Sequence, residues 1–192
     1  MLHMAALPLR TWTREEYRLA SEAGIIRPEE RLELLDGQIV KKVTHNPPHA
    51  VAYVLVTKWL VTIVGHDLHV RSQVPIALSA MSEPEPDVAV VSGEPRRYAR
   101  SHPRPDQVEL LVEISDTSLD RDRRVKAPLY AAAGIKELWI LDLVSRKLEM
   151  HREPAPAGYR VVTILAESES ASPLFSPSSF VRIADLLPTT EV

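Results

Sequence analysis

Along this chain the spacing of apolar and polar positions marks out the strands. Pro86-Asp87-Val88-Ala89-Val90-Val91 is a short β-branched run that opens on a carboxylate. Val108 to Ser115 is a second run, and there Glu113 stands between Val112 and Ile114. Glu137 to Asp142 is a third. Short runs that are apolar at successive positions read as buried strands. Asp120 to Lys126 forms a charged entry into a helix that ends at Gly134. An ionised glutamate inside such a run costs several kcal/mol if it is buried alone. Glu113 therefore asks for a cation, a hydrogen-bond network or an open end of the sheet.

Upstream, Thr13 followed three residues later by Glu16 is a capping box, predicting a helix to about Ala23 with its stop at Gly24. Asp36-Gly37 between Arg31–Leu35 and Gln38–Val43 predicts a hairpin, because both central residues of a type I′ turn need positive φ. Thr44 to His49, with Pro47 and Pro48, reads as a breaker, and Ala50 to Val64 as a largely buried helix closed by Gly65. His69 to Leu78 predicts a strand, with Pro75 pointing to an edge or a bulge. Ser92 to Asp106 is a long proline- and arginine-rich loop, of the kind that is functional or mobile. Lys147–His151 and Tyr159–Leu165 read as an antiparallel pair, and a softer stretch from Glu167 to Ser179 precedes the tail Phe180–Leu187. Together these elements predict an α+β fold with a mixed sheet flanked by helices. An N-terminal helix and hairpin precede the sheet and an antiparallel strand pair follows it. Residues 1–192 are expected to form one domain, with Met1 to Leu9 as a lead-in.

Composition narrows the chemistry. The absence of cysteine excludes disulfides, thiolate nucleophiles and cysteine-ligated metals. A net charge of −3 excludes a global basic field for nucleic acid, leaving local patches or bound metal to hold a polyanion. With no secretory h-region, and with Lys58 interrupting the most apolar window, the expected location is cytoplasmic with no membrane partner. His45 and His49 are separated by two prolines and cannot adopt the helical spacing of a zinc pair. Six glycines without a phosphate loop argue against nucleotide binding of that kind, and neither Ser115 nor Ser118 has a histidine base nearby in sequence.

Two carboxylates, Asp87 and Glu113, and one lysine that can converge beside a sheet are the parts of a metal-dependent hydrolase. The plainer alternatives are that Asp87 caps a turn after Pro86 and that Glu113 pairs with an arginine. Arg96, Arg97, Arg100 and Arg104, with Arg121, Arg123 and Arg124, are the basic patches available to a phosphate backbone. Asp120 just before the latter three and Asp122 among them favour a solvated face with internal ion pairs.

The ordered set Arg31–Gly37, Pro48-His49, Pro86-Asp87-Val88, Leu111–Ser115, Arg121-Asp122-Arg123 and Tyr130–Asp142 resembles the Uma2 family, of the PD-(D/E)xK restriction-endonuclease-like proteins. The resemblance spans about Thr13 to Leu187. It implies a four-stranded mixed sheet with a helix on either side and the site at one sheet edge. It further implies a nuclease using Mg²⁺ or Mn²⁺ on DNA, with a homodimer as the assembly to test. Asp87 and Glu113 would hold the metal, Lys126 would assist the attacking water, and Glu33 would support the site. His49, Ser115 and Arg123 would be the substrate-side candidates. Ser115 stands where the family pattern places a lysine, and Lys126 matches the lysine that takes over from the following helix. Pro128 departs from the pattern and predicts a bend or a later helix start near Lys126. A non-catalytic binding or assembly module on the same fold is the competing reading.

Overall fold

A computed structural model describes residues 9–42 and 46–189. The lead-in up to Pro8, the end of the expected second hairpin strand at Val43, and His45 lie outside these residues. Helix α1 (Arg14–Glu22) begins at the Thr13–Glu16 capping box and ends at Ala23, with Gly24 at φ +71°. The hairpin β1 (Leu32–Leu35) and β2 (Gln38–Lys41) turns through Asp36 and Gly37, both at positive φ. Gly37 also allows a close approach. A Cβ there would meet Thr11 at 2.6 Å and Met81 at 2.9 Å, and its N–H donates to Met81 O at 2.7 Å.

Helix α2 spans Pro47–Ile63, so it takes in the two prolines read as a breaker. Asn46 caps it by accepting from His49 N, and prolines are tolerated in a first turn because their missing N–H would find no intrahelical partner there. The expected strand over His69–Leu78 is shorter, β3 at Leu68–Ser72. Gln73 turns away at φ +51°, and Pro75 cannot donate to a ladder.

The remaining large strands are β4 (Val88–Ser92), β5 (Val108–Ser115), β6 (Glu137–Asp142), β7 (Lys147–Ala155) and β8 (Gly158–Ala166). With β3 they form one six-stranded sheet in the order β3-β4-β5-β6-β7-β8, parallel only at β5–β6. The sheet is thus wider than the expected four strands, because the C-terminal hairpin joins it through β6 and β7. The small antiparallel pair β9 (Ser170–Ala171) and β10 (Val181–Arg182) joins the stretch read as soft to the tail after it.

Between β5 and β6 the chain crosses one face of the sheet as α3 (Leu119–Arg121), a wide π turn (Asp122–Lys126) and α4 (Ala127–Ala132). The π turn answers the difficulty posed by Pro128. A proline ring clashes with the carbonyl four residues back, and widening the turn just before it relieves that clash without ending the helix. Side-chain alternation sends Val88, Val90, Val112, Ile114 and Trp139 to the α2 face, where Trp139 stacks on Trp59 with centroids 5.8 Å apart. Ala89, Leu111, Leu138 and Ile140 face Tyr130 and Ala127. Glu113, two residues from Leu111, therefore falls on the α4 face. No helix among the described residues is long and apolar enough to cross a membrane.

Candidate active site

Glu113 lies near the C-terminal end of β5 and is 3% exposed. Asp87 immediately precedes β4; since Val88 registers with Val112, Asp87 falls opposite Glu113. Residues directly opposite on antiparallel strands point to the same face, so the two acids come together where β4 begins. This is the end of two interior strands rather than a sheet edge, because β3 covers β4 on its other side.

Lys126 turns inward from the last position of the π turn, and its Nζ donates to Glu113 Oε1 and Oε2 at 3.1 Å each. The Tyr130 hydroxyl donates to Glu113 Oε1 at 2.6 Å. Glu33 enters from β1, its Oε2 3.4 Å from Lys126 Nζ and accepting from Glu85 N at 3.1 Å. Antiparallel bridging of Leu34 with Glu83 docks the hairpin here, which is how a residue so early in the chain reaches the site. Asp87 Oδ2 accepts from Ile114 N at 2.8 Å and lies 3.3 Å from His49 Nε2, in the first turn of α2. Thus Asp87, Glu113, Lys126, Glu33 and His49 line one open cleft, with a cavity of ≈ 40 Å³. One water needs about 10–15 Å³, so a small ion with some of its waters has room.

The other two residues expected on the substrate side lie elsewhere. Ser115 does not line the cleft; its hydroxyl donates to Asp122 Oδ2 at 2.7 Å, as does Ser118 at 2.6 Å. Arg123 points away from it, its Nε donating to Glu149 Oε1 at 2.8 Å, because neighbouring positions on a helical turn face different directions. Glu149 also lies 3.1 Å from His151 Nε2. Burial works against its charge, but the bonds from His151 and Arg123 hold its carboxyl down at about 2. A depressed carboxyl contributes stability that is present above its unfolded value near 4.5 and lost as pH falls toward 2. Acid titration of unfolding should therefore lose on the order of 1–2 kcal/mol across that window after solvent screening, and Glu149→Gln should flatten it. An unchanged profile in that variant would show that the pair contributes nothing.

Tyr130 and Asp122 enter the site without having been singled out for it. Asp122, Lys126 and Tyr130 are spaced by four, which places them on one helix face, and that spacing is the signal that could have found them. The cleft also contains Glu85, paired with Lys42 at 2.5 Å, and Asp116, bonded to Asn46. In all, six carboxylates line it against Lys42, Arg121 and Lys126.

Charge is poorly balanced in this burial. Burial raises the Glu113 carboxyl to about 8, with Asp122 and Asp87 adding to the rise and Lys126 opposing it. Burial disfavours the Lys126 ammonium, but Glu113, Glu33, Asp122 and Asp87 outweigh that and hold it above its ordinary range. Asp87 is kept below its ordinary value despite burial, by His49, Ile114 N and Lys126. Glu33 Oε1 is buried without a hydrogen-bond partner. Oxygen donors in excess of cations, one of them orphaned, fit a hard divalent cation. Among the described residues no three His, Asp or Glu side chains already converge as a metal cage. An ion with one or two carboxylates and several waters, the habit of Mg²⁺, suits such a site.

Fold and site together define a restriction-endonuclease-like α+β protein, a mixed sheet between helices with an acid–lysine group at the strand ends. Its fold is similar to the crystal structure of a protein from Anabaena variabilis ATCC 29413 described as "a putative nuclease belonging to DUF820". The two superpose with a TM-score of 0.68 at 15% identity, covering 93% of this chain and 97% of that one. The model of the Uma2 family, described as "Putative restriction endonuclease", matches residues 14–184, and the chain belongs to that family. No curated protein matches its sequence.

Proposed function

We propose that this protein is a metal-dependent nuclease that hydrolyses phosphodiester bonds of DNA. The observation that carries the reading is the convergence of Asp87, Glu113 and Lys126 in one open cleft with an excess of carboxylates. Asp87 and Glu113 would hold the cation, Mg²⁺ or Mn²⁺. When bound, the ion supplies Lewis acidity and lowers the pKa of a coordinated water. The protein's own groups do the positioning. His49 and Ile114 N fix the Asp87 carboxylate, and Tyr130 and Lys126 fix that of Glu113. The Lys126 ammonium offsets negative charge that develops on the phosphate, an interaction worth most in a dry, preorganised site. Glu33 keeps that ammonium charged and aimed between the strands.

One feature favours the second reading, a binding module that cuts nothing. Both Glu113 oxygens are engaged by Lys126, as a retained structural ion pair would be. Calorimetric titration with Mn²⁺ separates the two. The nuclease reading expects stoichiometric binding, with nicking or cutting of DNA in Mg²⁺ or Mn²⁺ that EDTA abolishes. No Mn²⁺ binding, and no cutting of any DNA or RNA, would leave the binding module. The assay belongs at low ionic strength, since an acidic protein holds DNA weakly and each phosphate contact is salt-sensitive.

A further inference from the structure

A second cavity, of ≈ 630 Å³, opens between α1 and the loop that joins β4 to β5. Its size falls within the about 300–1,000 Å³ of typical ligand sites. Its walls carry the opposite charge to the acidic cleft: Arg14 and Arg18 from α1, and Arg97, Arg100 and Arg104 from the loop, with His102 beside them. Two carboxylates in the wall are already engaged. Glu83 pairs with Arg14 at 3.3 Å and Glu15 with Arg18 at 2.7 Å. Among the described residues, no carboxylate pairs with Arg97 or Arg100, although both are exposed on a loop rich in charge. Burial, and after it the guanidinium groups of Arg71 and Arg14, holds His102 below its ordinary pKa.

The two cavities are neighbours. Glu83 lines the basic one and Glu85, two residues further on, lines the acidic one. Two residues of extended chain span roughly 7 Å. Tyr98 also lines the basic cavity, but the Arg71 guanidinium already covers its ring at 5.4 Å. The wall therefore offers more to a phosphate than to a base: five guanidiniums against one tyrosine ring with a face already taken.

We propose that this cavity is a backbone-phosphate subsite, holding the nucleic-acid strand on one side of the phosphate presented to Asp87 and Glu113. Arg97 and Arg100 are the principal contacts, being the guanidiniums without a carboxylate to release. Because readout of this kind addresses phosphates alone, binding is independent of base sequence. The inference rests on the nuclease reading only for what happens next to the subsite, and its test needs no metal.

The experiment is fluorescence anisotropy of a short labelled single-stranded oligonucleotide, with EDTA present, across a salt series. Arg97→Ser/Arg100→Ser should weaken binding about 10-fold or more at low salt. It should lower the slope of log K against log [salt] by about 1.4, at about 0.7 per lost contact on a single strand. Arg182→Ser, outside the cavity and paired with Asp185, should leave both unchanged. Mn²⁺ binding and the melting temperature should be unaffected in the double variant, because both side chains are exposed. Equal affinity and slope in the double variant would overturn the proposal. So would displacement of the oligonucleotide by inorganic phosphate at comparable concentration, which would mark a free-anion site. If wild type neither binds Mn²⁺ nor cuts while the double variant still loses the oligonucleotide, the nuclease reading fails and the subsite stands.

Discussion

Asp87→Asn is expected to abolish metal-dependent cleavage, lowering the rate by about 10²-fold or more while leaving the fold intact. The size follows from removing one preorganised charge beside the reacting phosphate. Asparagine is preferred to alanine for a structural reason. Asp87 Oδ2 accepts from Ile114 N at 2.8 Å, and an amide oxygen can still accept that bond, whereas alanine would leave the N–H unpaired in the core. The charge is the part that is lost, and with it the affinity for a divalent cation, which calorimetry with Mn²⁺ reads independently of turnover. Glu113→Gln should behave alike in cleavage, since its carboxylate lies opposite in register. An Asp87→Asn protein that cuts as fast as wild type would assign the cutting to a contaminant.

Lys126→Met is expected to cost about 3–5 kcal/mol of folding stability near neutral pH, the scale for removing one partner of a buried ion pair. Lys126 is 3% exposed and is the group that both Glu113 and Glu33 face. The pH dependence has a definite sign. Glu113 has its folded pKa raised to about 8, so the stability it contributes is fully present below about 4.5 and is lost as pH rises through the folded value. Without the ammonium that value rises further, and protons must replace the missing cation. From pH 5 to 7 the deficit of the variant should therefore be nearly constant, and it should grow above pH 8, where the wild-type carboxyl ionises and the variant's does not, which urea unfolding at pH 6 and pH 9 measures. Cleavage should fall while Mn²⁺ binding is largely kept, because the ammonium acts on phosphate and water rather than on the ion. Wild-type stability at pH 9 would mean that the ammonium is hydrated in solution rather than locked between the glutamates.

Much of the frame was legible because local chemistry decides it. The Thr13–Glu16 box, the Asp36-Gly37 turn, and the strands Val108–Ser115 and Glu137–Asp142 are specified by neighbours in sequence. The errors have local reasons too. Pro47 and Pro48 looked like breakers, but a helix start accepts what a helix interior rejects. Pro128 predicted an irregularity near Lys126, and the irregularity is a π turn that admits the proline and leaves the ammonium pointing at Glu113.

The sequence by itself determined which acids stand beside apolar residues, and so which carboxylates would be costly to bury. Only the tertiary structure decided what lies beside them. Glu33 meets Lys126 because the hairpin bridges Glu83, and Asp87 meets Glu113 because β4 and β5 pair with Val88 opposite Val112. Arg123 was lost to Glu149 by its angular position on the turn, whereas Lys126 three residues on was aimed inward. Period and capping are properties of a few consecutive residues. The partner of a buried charge is set by strand register and helix rotation, which depend on the packing of the whole chain.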